Sequence, residues 1–489
     1  MTNPSKKPRV GLLALTLELY EELLPELRAD REGWLRRALL PALGPQADVE
    51  FHRAVFRREE IEAEVRRLEQ AGVDVLLVVC LTYAPSQVVL PALKRTGLPI
   101  VVWNTQELAA VDGTFDMPEM LANHGVHGTQ DLCNVLLRAG VPFHYVTSLP
   151  DESRGLAELA DFFAAGAAVR ALKSARLGLM GYAMAGMGDF AVDTTHLVAT
   201  LGCAWLPLSV EEYNQRAAAA GADEVARLCD EYRRAYAVDG DVTDDDLADA
   251  ARAELALRAM LGERRVDAMS YHFAALAEDE RTVTMPFVAA SRLMAEGVGF
   301  AGEGDLVGAA GTWLLGRLQA PASFTEIFTT DFAGNGLFLS HMGEMNVAMA
   351  RPVSEKGSDP LTLGGLTPFR IGSKTRLAAK PQPLGRIRGR QLVLVVAVRP
   401  GPATLCALAQ GPGARWRLIA SRVEIADFGP LPALTVPHTK IVIPGGDVRD
   451  WLTSYARAGG PHHHALCFGD ARRRIRFAAE LLEADYCEV

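Results

Sequence analysis

The stretch VDVLLVVCLTYAPSQVVLPALKRTGLPIVVWNT (residues 73–105) decides the fold class of this chain. It opens with an unbroken apolar run, Val73–Cys80, passes through a helical segment that ends at Gly97, and closes with a second apolar run, Leu98–Thr105. Strands that are apolar on both faces and joined through a helix are typical of a parallel sheet covered on both sides. We therefore predict a doubly wound α/β domain around this stretch.

The same alternation extends towards the N-terminus. Arg9–Thr16 reads as an apolar strand, and the helical stretch after it breaks near Pro25 and should end before Pro41. Val49–Arg53 then predicts a strand and Ile61–Gln70 an amphipathic helix. Ligands of such sheets gather beyond the carboxyl ends of the strands. The residues at these ends are Thr16, Leu17, Glu18, Thr82, Tyr83, Asn104, Thr105 and Gln106.

A polar loop precedes a helix that we predict from about Gly128 to Gly140. Asn123, His124 and His127 lie before or within its first turn. Free N–H groups and the positive dipole end make a helix start a candidate ligand site. The alternative is a polar surface loop that happens to hold two histidines.

A second alternating unit begins at ARLGLMGY (residues 175–182). It continues through an acidic helical stretch, residues 211–264, to VDAMSYHF (266–273), and predicts a second doubly wound parallel sheet. Its glycines do not follow the GxGxxG spacing, which disfavours a dinucleotide site. The Asp-rich stretch 239–249 lacks the Gly and the closing Glu that a calcium loop needs.

The sequence changes character beyond Pro352. RLAAKPQPLGRIRGR (residues 376–390) is rich in Pro, Gly and Arg, and short β runs separated by regularly spaced turns follow it. Such spacing is typical of an antiparallel barrel or sandwich. We therefore predict three domains, namely an N-terminal α/β domain (1–172), a central α/β domain (173–352) and a β-rich C-terminal domain (353–489).

Composition narrows the classes of function. The net charge of −10 argues against a nucleic-acid partner, and the basic run at Arg386, Arg388 and Arg390 reads as a solvated edge. No apolar run reaches the roughly 18 residues of a membrane span. The basic N-terminus passes into a strand without a small-residue cleavage site, so we predict no signal peptide. Seven cysteines, an odd number without CxxC spacing, suit a reducing cytoplasm.

The stretch GVGFAGEGDLVGAAGTWLLGRLQAPASFTEIFTTDFAGNGLFLSHM (residues 297–342) carries the candidate chemistry. Glu303 stands between two glycines, just before an apolar helix that begins near Leu306. Glu326 lies in a predicted strand, and His341 directly follows another. Two carboxylates and an imidazole on neighbouring element ends suit a divalent ion. Two ordinary glutamates and a core histidine are the alternative.

The hexapeptide GGPHHH (residues 459–464) supplies a fourth candidate partner. In an extended segment His462 and His464 would share one face, and His463 would take the other. Neutral imidazole is the commonest metal ligand in proteins. A chance run of histidines in a surface loop is the alternative.

These motifs, taken in order, make the chain resemble the L-arabinose isomerase family within the wider L-fucose/L-arabinose isomerase group. The series consists of GFAGEGD (299–305), SFTE (323–326), SHM (340–342) and GGPHH (459–463). Asn-Thr-Gln at 104–106 and the Asn-x-x-x-His-Gly pattern of 123–128 also fit. The resemblance spans nearly the whole chain.

The resemblance implies a divalent metal, usually Mn²⁺ with Co²⁺ or Mg²⁺ as alternatives. Its ligands would be Glu303, Glu326, His341 and His463, and His464 remains an alternative to the last. It also implies exchange between aldoses and ketoses through a cis-enediol, with the two glutamates dividing the roles of base and acid. Which glutamate is the base stays open.

The resemblance further implies a homo-oligomer, a trimer or hexamer, whose subunits share their sites and bind a small sugar. His127 would reach the sugar from a neighbouring subunit. Tyr83, Met184 and Phe273 would line the sugar pocket.

Several positions depart from the family pattern where the sugar would be touched. Leu17 and His124 each stand where the family has a Gln, and Thr129-Gln130-Asp131 replaces Gly-Arg-Glu. The metal positions match the family while these sugar-contacting positions differ, so the resemblance implies the same chemistry on an altered sugar. The competing classes are a metal-dependent hydrolase, an isomerase of a modified or acidic sugar, and a non-catalytic sugar-binding protein. A binding protein would need no set of two Glu and two His.

Overall fold

The computed structural model describes residues 7–350, 375–380, 387, 389–396, 398–428, 431 and 433–489, with the backbone alone for 375–380. It divides into a first compact unit, Ser5–Arg170, and a second, Ala171–Val489. The three-domain division stays a prediction, since its boundary at 352/353 lies outside the described residues, as do Arg386 and Arg388. Arg390 binds the carboxylate of Asp241 at 3.0 Å.

The first unit is built on one parallel sheet. Its strands are β1 (Arg9–Leu15), β2 (Asp48–Glu50), β3 (Val75–Cys80), β4 (Ile100–Asn104) and β5 (His144–Thr147). Their order is β2-β1-β3-β4-β5, and every pairing is parallel. The helices are α1 (Glu18–Leu23), α2 (Pro25–Trp34), α3 (Leu40–Leu43), α4 (Arg58–Ala71), α5 (Ser86–Arg95), α6 (Met117–Ala122), α7 (Gly125–Arg138) and α8 (Ser153–Leu172). The predicted parallel sheet is confirmed.

The helical region before β2 differs from its prediction at one point. The break at Pro25 is present, but helix runs past Pro41 to Leu43 instead of ending before it. A π-helical turn, Leu35–Leu39, joins α2 to α3 and places Pro41 in the first turn of α3. A proline is tolerated there because the first N–H groups of a helix have no intrahelical partner.

The second unit holds the remaining elements. Its strands are β6 (Arg176–Met180), β7 (Ala204–Leu208), β8 (Tyr236–Val238), β9 (Ala268–Tyr271), β10 (Gly299–Ala301), β11 (Ala322–Asp331), β12 (Gly336–Ser340), β13 (Thr375–Lys380), β14 (Gln391–Val395), β15 (Gly401–Gln410), β16 (Trp416–Ile425), β17 (His438–Val442), β18 (His463–Phe468) and β19 (Asp485–Glu488). Its helices are α9 (Thr194–Leu201), α10 (Val210–Ala218), α11 (Ala222–Ala235), α12 (Asp244–Arg264), α13 (Phe273–Glu278), α14 (Phe287–Ala295), α15 (Leu306–Leu318), α16 (Val448–Arg457) and α17 (Arg472–Leu481). Among the described helices, none has the length and apolar character needed to cross a membrane.

Two larger sheets organise this unit. Strands β10-β9-β6-β7 form a parallel sheet, the second one predicted from the alternation of strands and helices. Strands β15-β18-β11-β12-β17-β16 are antiparallel, and β15 also pairs with β16, so these six strands close into a barrel. Strand β19 joins the barrel in parallel, and β14-β13-β8 form a small separate sheet. The predicted α/β class with a β-rich, barrel-like C-terminal part is confirmed.

Helix α15 links the parallel sheet to the barrel. It is apolar nearly all round, and ten of its residues are buried, as expected for a helix surrounded by protein. It packs against β9 and β10 on one side and against β11, β15 and β18 of the barrel on the other. The turn before α15, which carries Glu303, is thereby held beside the barrel rim.

Candidate metal and active site

Four segments of the second unit meet where the parallel sheet faces the barrel. Glu303 follows β10, Glu326 lies in β11, His341 follows β12, and His463 begins β18. All four were predicted from the sequence as metal ligands. The structure brings their side chains together, and their roles stay predictions.

Strand register brings the barrel residues side by side. Glu326 lies directly opposite His463 on β18 and directly opposite Ser340 on β12. Opposite residues of antiparallel strands project to the same face. The Oε1 atom of Glu326 is therefore 2.9 Å from Nε2 of His463 and 3.7 Å from Nε2 of His341, the residue after Ser340.

A strained turn brings Glu303 to the same place. Its φ of 60° is in the left-handed region, which is uncommon for a residue with a side chain. A Cβ atom at Gly304 would lie 2.2 Å from the carbonyl oxygen of Tyr182, and one at Gly302 would lie 2.8 Å from the ring of His341. Only glycine fits at these two positions. The turn leaves Oε2 of Glu303 3.1 Å from Nε2 of His463.

Two buried carboxylates orient the two imidazoles. Asp305 accepts from the backbone N–H of Gly308 at the start of α15, and its other oxygen lies 2.8 Å from Nδ1 of His463. Glu344 lies 2.5 Å from Nδ1 of His341 and also accepts from the hydroxyl of Tyr271. Both histidines therefore turn Nε2 towards Glu326. Metal-binding histidines commonly have this second partner on the opposite nitrogen.

Aromatic rings shield the imidazoles from water. Phe190 stacks on His463 with ring centroids 5.2 Å apart. Phe324, which is fully buried, meets His463 at 4.9 Å and His341 at 4.8 Å edge to face. A water-poor wall strengthens every electrostatic interaction inside the cluster.

The cluster shifts the acidities of its members. Burial would raise the pKa of Glu303, but the imidazoles of His462 and His463 outweigh it and hold that pKa well below its usual range. Burial would lower the pKa of His463, but hydrogen bonds to Asp305, Glu303 and Glu326 raise it to about 11. The pKa of His341 is also raised, because Glu344 outweighs the effect of burial.

His462 belongs to the cluster, contrary to the face expected from strand alternation. It precedes β18, so the alternation of the strand does not apply to it, and its Nε2 lies 3.7 Å from Oε2 of Glu303. Ligand atoms of Glu303, Glu326, His462 and His463 all lie within 4.8 Å of one another. Asp189 holds His462 through both the backbone N–H, at 3.0 Å, and Nδ1, at 2.6 Å.

His464 points away from the cluster. It is buried and packs on Tyr455 with ring centroids 5.1 Å apart, and within the described part of the chain neither ring nitrogen has a hydrogen-bond partner. Burial lowers its pKa to about 3. Of the two histidines left open by the sequence, His463 is the one beside the carboxylates.

The donor atoms fit a divalent cation. The Nε2 atom of His341 is buried and finds no hydrogen-bond partner in the described ranges of the chain, although it faces the carboxylate of Glu326. A buried polar atom without a partner is costly unless a ligand satisfies it. Carboxylate oxygens combined with imidazole nitrogens suit Mn²⁺ and similar ions.

The predicted sugar-contacting residues divide between the two units. Met184 and Phe273 lie in the second unit, where the N–H of Met184 donates to the carbonyl of Glu303 at 2.9 Å. Leu17, Tyr83, His124 and His127 lie in the first unit. There the hydroxyl of Tyr20 lies 2.8 Å from Nε2 of His124, Tyr83 is 3.4 Å from the carboxylate of Asp131, and His127 is exposed. Their contact with a sugar stays a prediction.

The sequence interpretation missed several residues around the cluster. Asp305 was quoted within its motif without a role, and Asp189, Glu344 and His272 were not singled out. Asp305 directly follows the Gly-Glu-Gly turn, which was the available signal. Glu344 stands three residues after its partner His341, so its spacing was also available as a signal. Asp189 and His272 reach the site only through packing between distant segments, so no spacing in the sequence indicates them.

The chain matches two family models. Residues 187–316 match the L-arabinose isomerase central domain, and residues 370–485 match the L-arabinose isomerase C-terminal domain. An L-arabinose isomerase of Acidothermus cellulolyticus is 28% identical over 82% of this chain and 77% of its own length. That of Thermotoga neapolitana is 26% identical over 92% of this chain and 84% of its own.

The similarity to a solved structure from another class of protein is weak. An ABC transporter periplasmic solute binding protein from Actinobacillus succinogenes with bound D-allose is 14% identical, with 55% of this chain and 79% of that chain covered. Its TM-score of 0.16 is too low to carry an argument. The two family models cover residues 187–316 and 370–485, and the curated relatives named above align over 82% and 92% of the chain. The chain belongs to the L-arabinose isomerase family.

Proposed function

We propose that this chain is a divalent-metal-dependent aldose–ketose isomerase that acts through a cis-enediol. One observation carries the proposal. Nε2 of His463 lies within hydrogen-bond distance of Glu303 and Glu326, although 160 and 137 positions separate these residues from it in sequence. Family membership supports the same reaction class.

The residues proposed to hold the metal are Glu303, Glu326, His341 and His463, with His462 as a further donor within reach. Mn²⁺ is the proposed ion, and Co²⁺ and Mg²⁺ are alternatives. When bound, such an ion stabilises, as a Lewis acid, the negative charge that develops on two neighbouring sugar oxygens.

The two glutamates are proposed to move the protons. Converting an aldose to a ketose takes a proton from C2 and delivers one to C1, while a proton moves from the oxygen on C2 to the oxygen on C1. One carboxylate acts between the carbons and the other between the oxygens. Because its pKa is held below the usual range, Glu303 is ionised at neutral pH.

The rest of the chain is proposed to hold the sugar. Met184 and Phe273 line the pocket on the second unit. Tyr83 is proposed to line the pocket as well, Leu17 and His124 to contact the sugar, and His127 to reach it from a neighbouring subunit in a trimer or hexamer. Leu17 and His124 change the polarity of this pocket from that of the family, which supports a sugar other than L-arabinose.

A panel of aldoses and ketoses tests the proposal. The purified protein is incubated in D₂O with L-arabinose, D-galactose, L-fucose and the four D-aldopentoses, with and without added Mn²⁺, and products are followed by NMR. We expect one pair to interconvert only with metal present and to gain deuterium at the carbon that accepts the proton. Metal-independent conversion, or conversion without deuterium gain at any of these carbons, would contradict the enediol route.

A further inference from the structure

His272 is a buried histidine beside the candidate site whose ring has no assigned task. It follows β9, at the carboxyl end of the parallel sheet, and its backbone N–H donates to the carbonyl of Met180 at 3.1 Å. The residue is 3% exposed, and neither Nδ1 nor Nε2 has a hydrogen-bond partner among the residues that the structure describes. An unpartnered polar group at this depth costs about 1–3 kcal/mol.

The position of His272 links it to Glu303. The residue before it, Tyr271, accepts from the backbone N–H of Gly304 at 3.2 Å. Tyr182, whose carbonyl lies against Gly304, packs its ring on His272 at a centroid distance of 4.6 Å. Ligands of parallel sheets bind at this end of the strands.

The side chain that packs over His272 is itself partly exposed. Tyr182 is 42% exposed, and its hydroxyl donates to the exposed carboxylate of Glu278 at 2.8 Å. A solvent-exposed hydrogen bond of this kind contributes little to stability. A ligand that moved the Tyr182 ring aside would uncover both nitrogens of His272.

The charge state suits hydrogen bonding to a hydroxyl. Burial lowers the pKa of His272, and Glu303 and Glu278 oppose this only in part. A neutral imidazole has one donor and one acceptor. A sugar hydroxyl is both a donor and an acceptor, so one or two hydroxyls can use the two nitrogens.

We propose that His272 is a specificity-determining residue that hydrogen-bonds a sugar hydroxyl on a carbon beyond C2, reached when Tyr182 moves aside. This inference rests on the proposed function, because it assumes a sugar beside Glu303. It adds a polar contact to a pocket otherwise lined by Met184 and Phe273.

Another buried histidine provides a matched control. His464 is also buried with both nitrogens unpartnered, but its cover, Tyr455, is only 7% exposed and belongs to the core. The variants His272→Phe and His464→Phe therefore remove the same atoms from two buried sites. His272→Gln keeps one polar group and serves as a second variant if the phenylalanine destabilises the fold.

The test separates binding from chemistry by using pentitols, which have no carbonyl and cannot be isomerised. Calorimetry measures the affinities of ribitol, xylitol, D-arabinitol and L-arabinitol for the Mn²⁺-loaded protein, and NMR measures turnover of the matching aldopentoses. We expect His272→Phe to weaken the tightest pentitol about 10-fold while the others change less, so that discrimination shrinks. His272→Gln should recover part of this loss, and His464→Phe should keep the wild-type ranking.

If His272→Phe keeps the wild-type ranking of pentitol affinities, or loses affinity equally for all four pentitols, the role of His272 is overturned. Wild-type protein that binds a pentitol but converts no sugar contradicts the proposed function alone, and the ranking still tests His272. Wild-type protein that neither binds nor converts any of these compounds overturns both proposals.

Discussion

His463 and His464 are neighbours on β18, yet they lie in opposite environments. His463 meets Glu303, Glu326 and Asp305, and its pKa is raised to about 11. His464 packs on Tyr455 without a hydrogen-bond partner among the described residues, and its pKa is lowered to about 3.

The difference follows from strand geometry and surroundings. Successive side chains of a strand project to opposite faces. One face of β18 looks onto the turn before α15, and Glu326 of the paired strand β11 projects from that same face. The other face looks onto α16, which carries Tyr455. Identical side chains one residue apart therefore differ in charge and in task. The following experiments test this difference between the two histidines.

The largest effect is expected for the carboxylates on the His463 side. Glu303→Gln and Glu326→Gln should each lower the rate of aldose–ketose exchange about 1,000-fold, because a group that transfers protons is removed. NMR of the sugar products measures this rate. Glu424→Gln, on an exposed position of β16, is the matched control and should retain normal turnover. Normal turnover in Glu303→Gln would remove that residue from the mechanism.

Metal affinity should separate the two histidines. His463→Phe should weaken Mn²⁺ binding by at least about 100-fold, because a ligand nitrogen is lost while the ring still packs between Phe190 and Phe324. His464→Phe should bind Mn²⁺ as the wild type does. Calorimetric titration of the metal-free proteins measures both constants. Equal losses in the two variants would refute the division of faces.

The two faces should also differ in their response to pH. In the folded protein the pKa of His464 is about 3, below its ordinary value of 6.5. The contribution of this histidine to the free energy of unfolding is therefore complete above pH 6.5. This contribution is lost as the pH falls towards 3, and at pH 5 the loss amounts to about 2 kcal/mol.

Chemical denaturation of metal-free protein at pH 8 and pH 5 measures this loss. From pH 8 to pH 5, the free energy of unfolding of the wild type should fall by about 2 kcal/mol more than that of His464→Phe. A difference that does not change with pH would mean that His464 is not buried in its neutral form.

The smallest effect is expected for the carboxylates that orient the imidazoles. Asp305→Asn and Glu344→Gln should weaken Mn²⁺ binding about 10-fold, because they hold Nδ1 of His463 and His341 without facing the metal. Calorimetry again measures the affinity. Glu296→Gln, which alters a carboxylate paired with Arg258, is a control within the same unit. A loss of Mn²⁺ affinity as large as that of His463→Phe would indicate that these carboxylates bind the metal directly.

Much of the fold follows from local pattern. The continuous apolar runs of β1, β3 and β4 can be satisfied only in a sheet covered on both faces, so they predict the parallel arrangement. Pro41 misled the interpretation, because its effect depends on its place within a helical turn. The barrel was predicted from the C-terminal runs, but two of its strands, β11 and β12, come from the stretch before Pro352.

The candidate site divides in the same way. Short motifs marked the four candidate ligands. Glu303 stands between two glycines, Glu326 lies in a predicted strand, His341 follows another strand, and His463 lies in the GGPHHH hexapeptide. The part played by His462 could not be predicted, since it depends on where β18 begins. His272 and Asp189 reach the site through contacts between distant segments, which leave no periodic signal. Glu344 lies only three residues after its partner His341, and that short spacing was overlooked.

The sequence by itself determined the fold class, the residue types able to hold a divalent ion, and the order in which they occur. Only the tertiary structure decided which histidine of three faces away from the carboxylates and which side chains orient the other two. The reason is physical. Apolar periodicity records whether a residue is buried, whereas pairing register and packing between distant segments decide what a buried side chain meets.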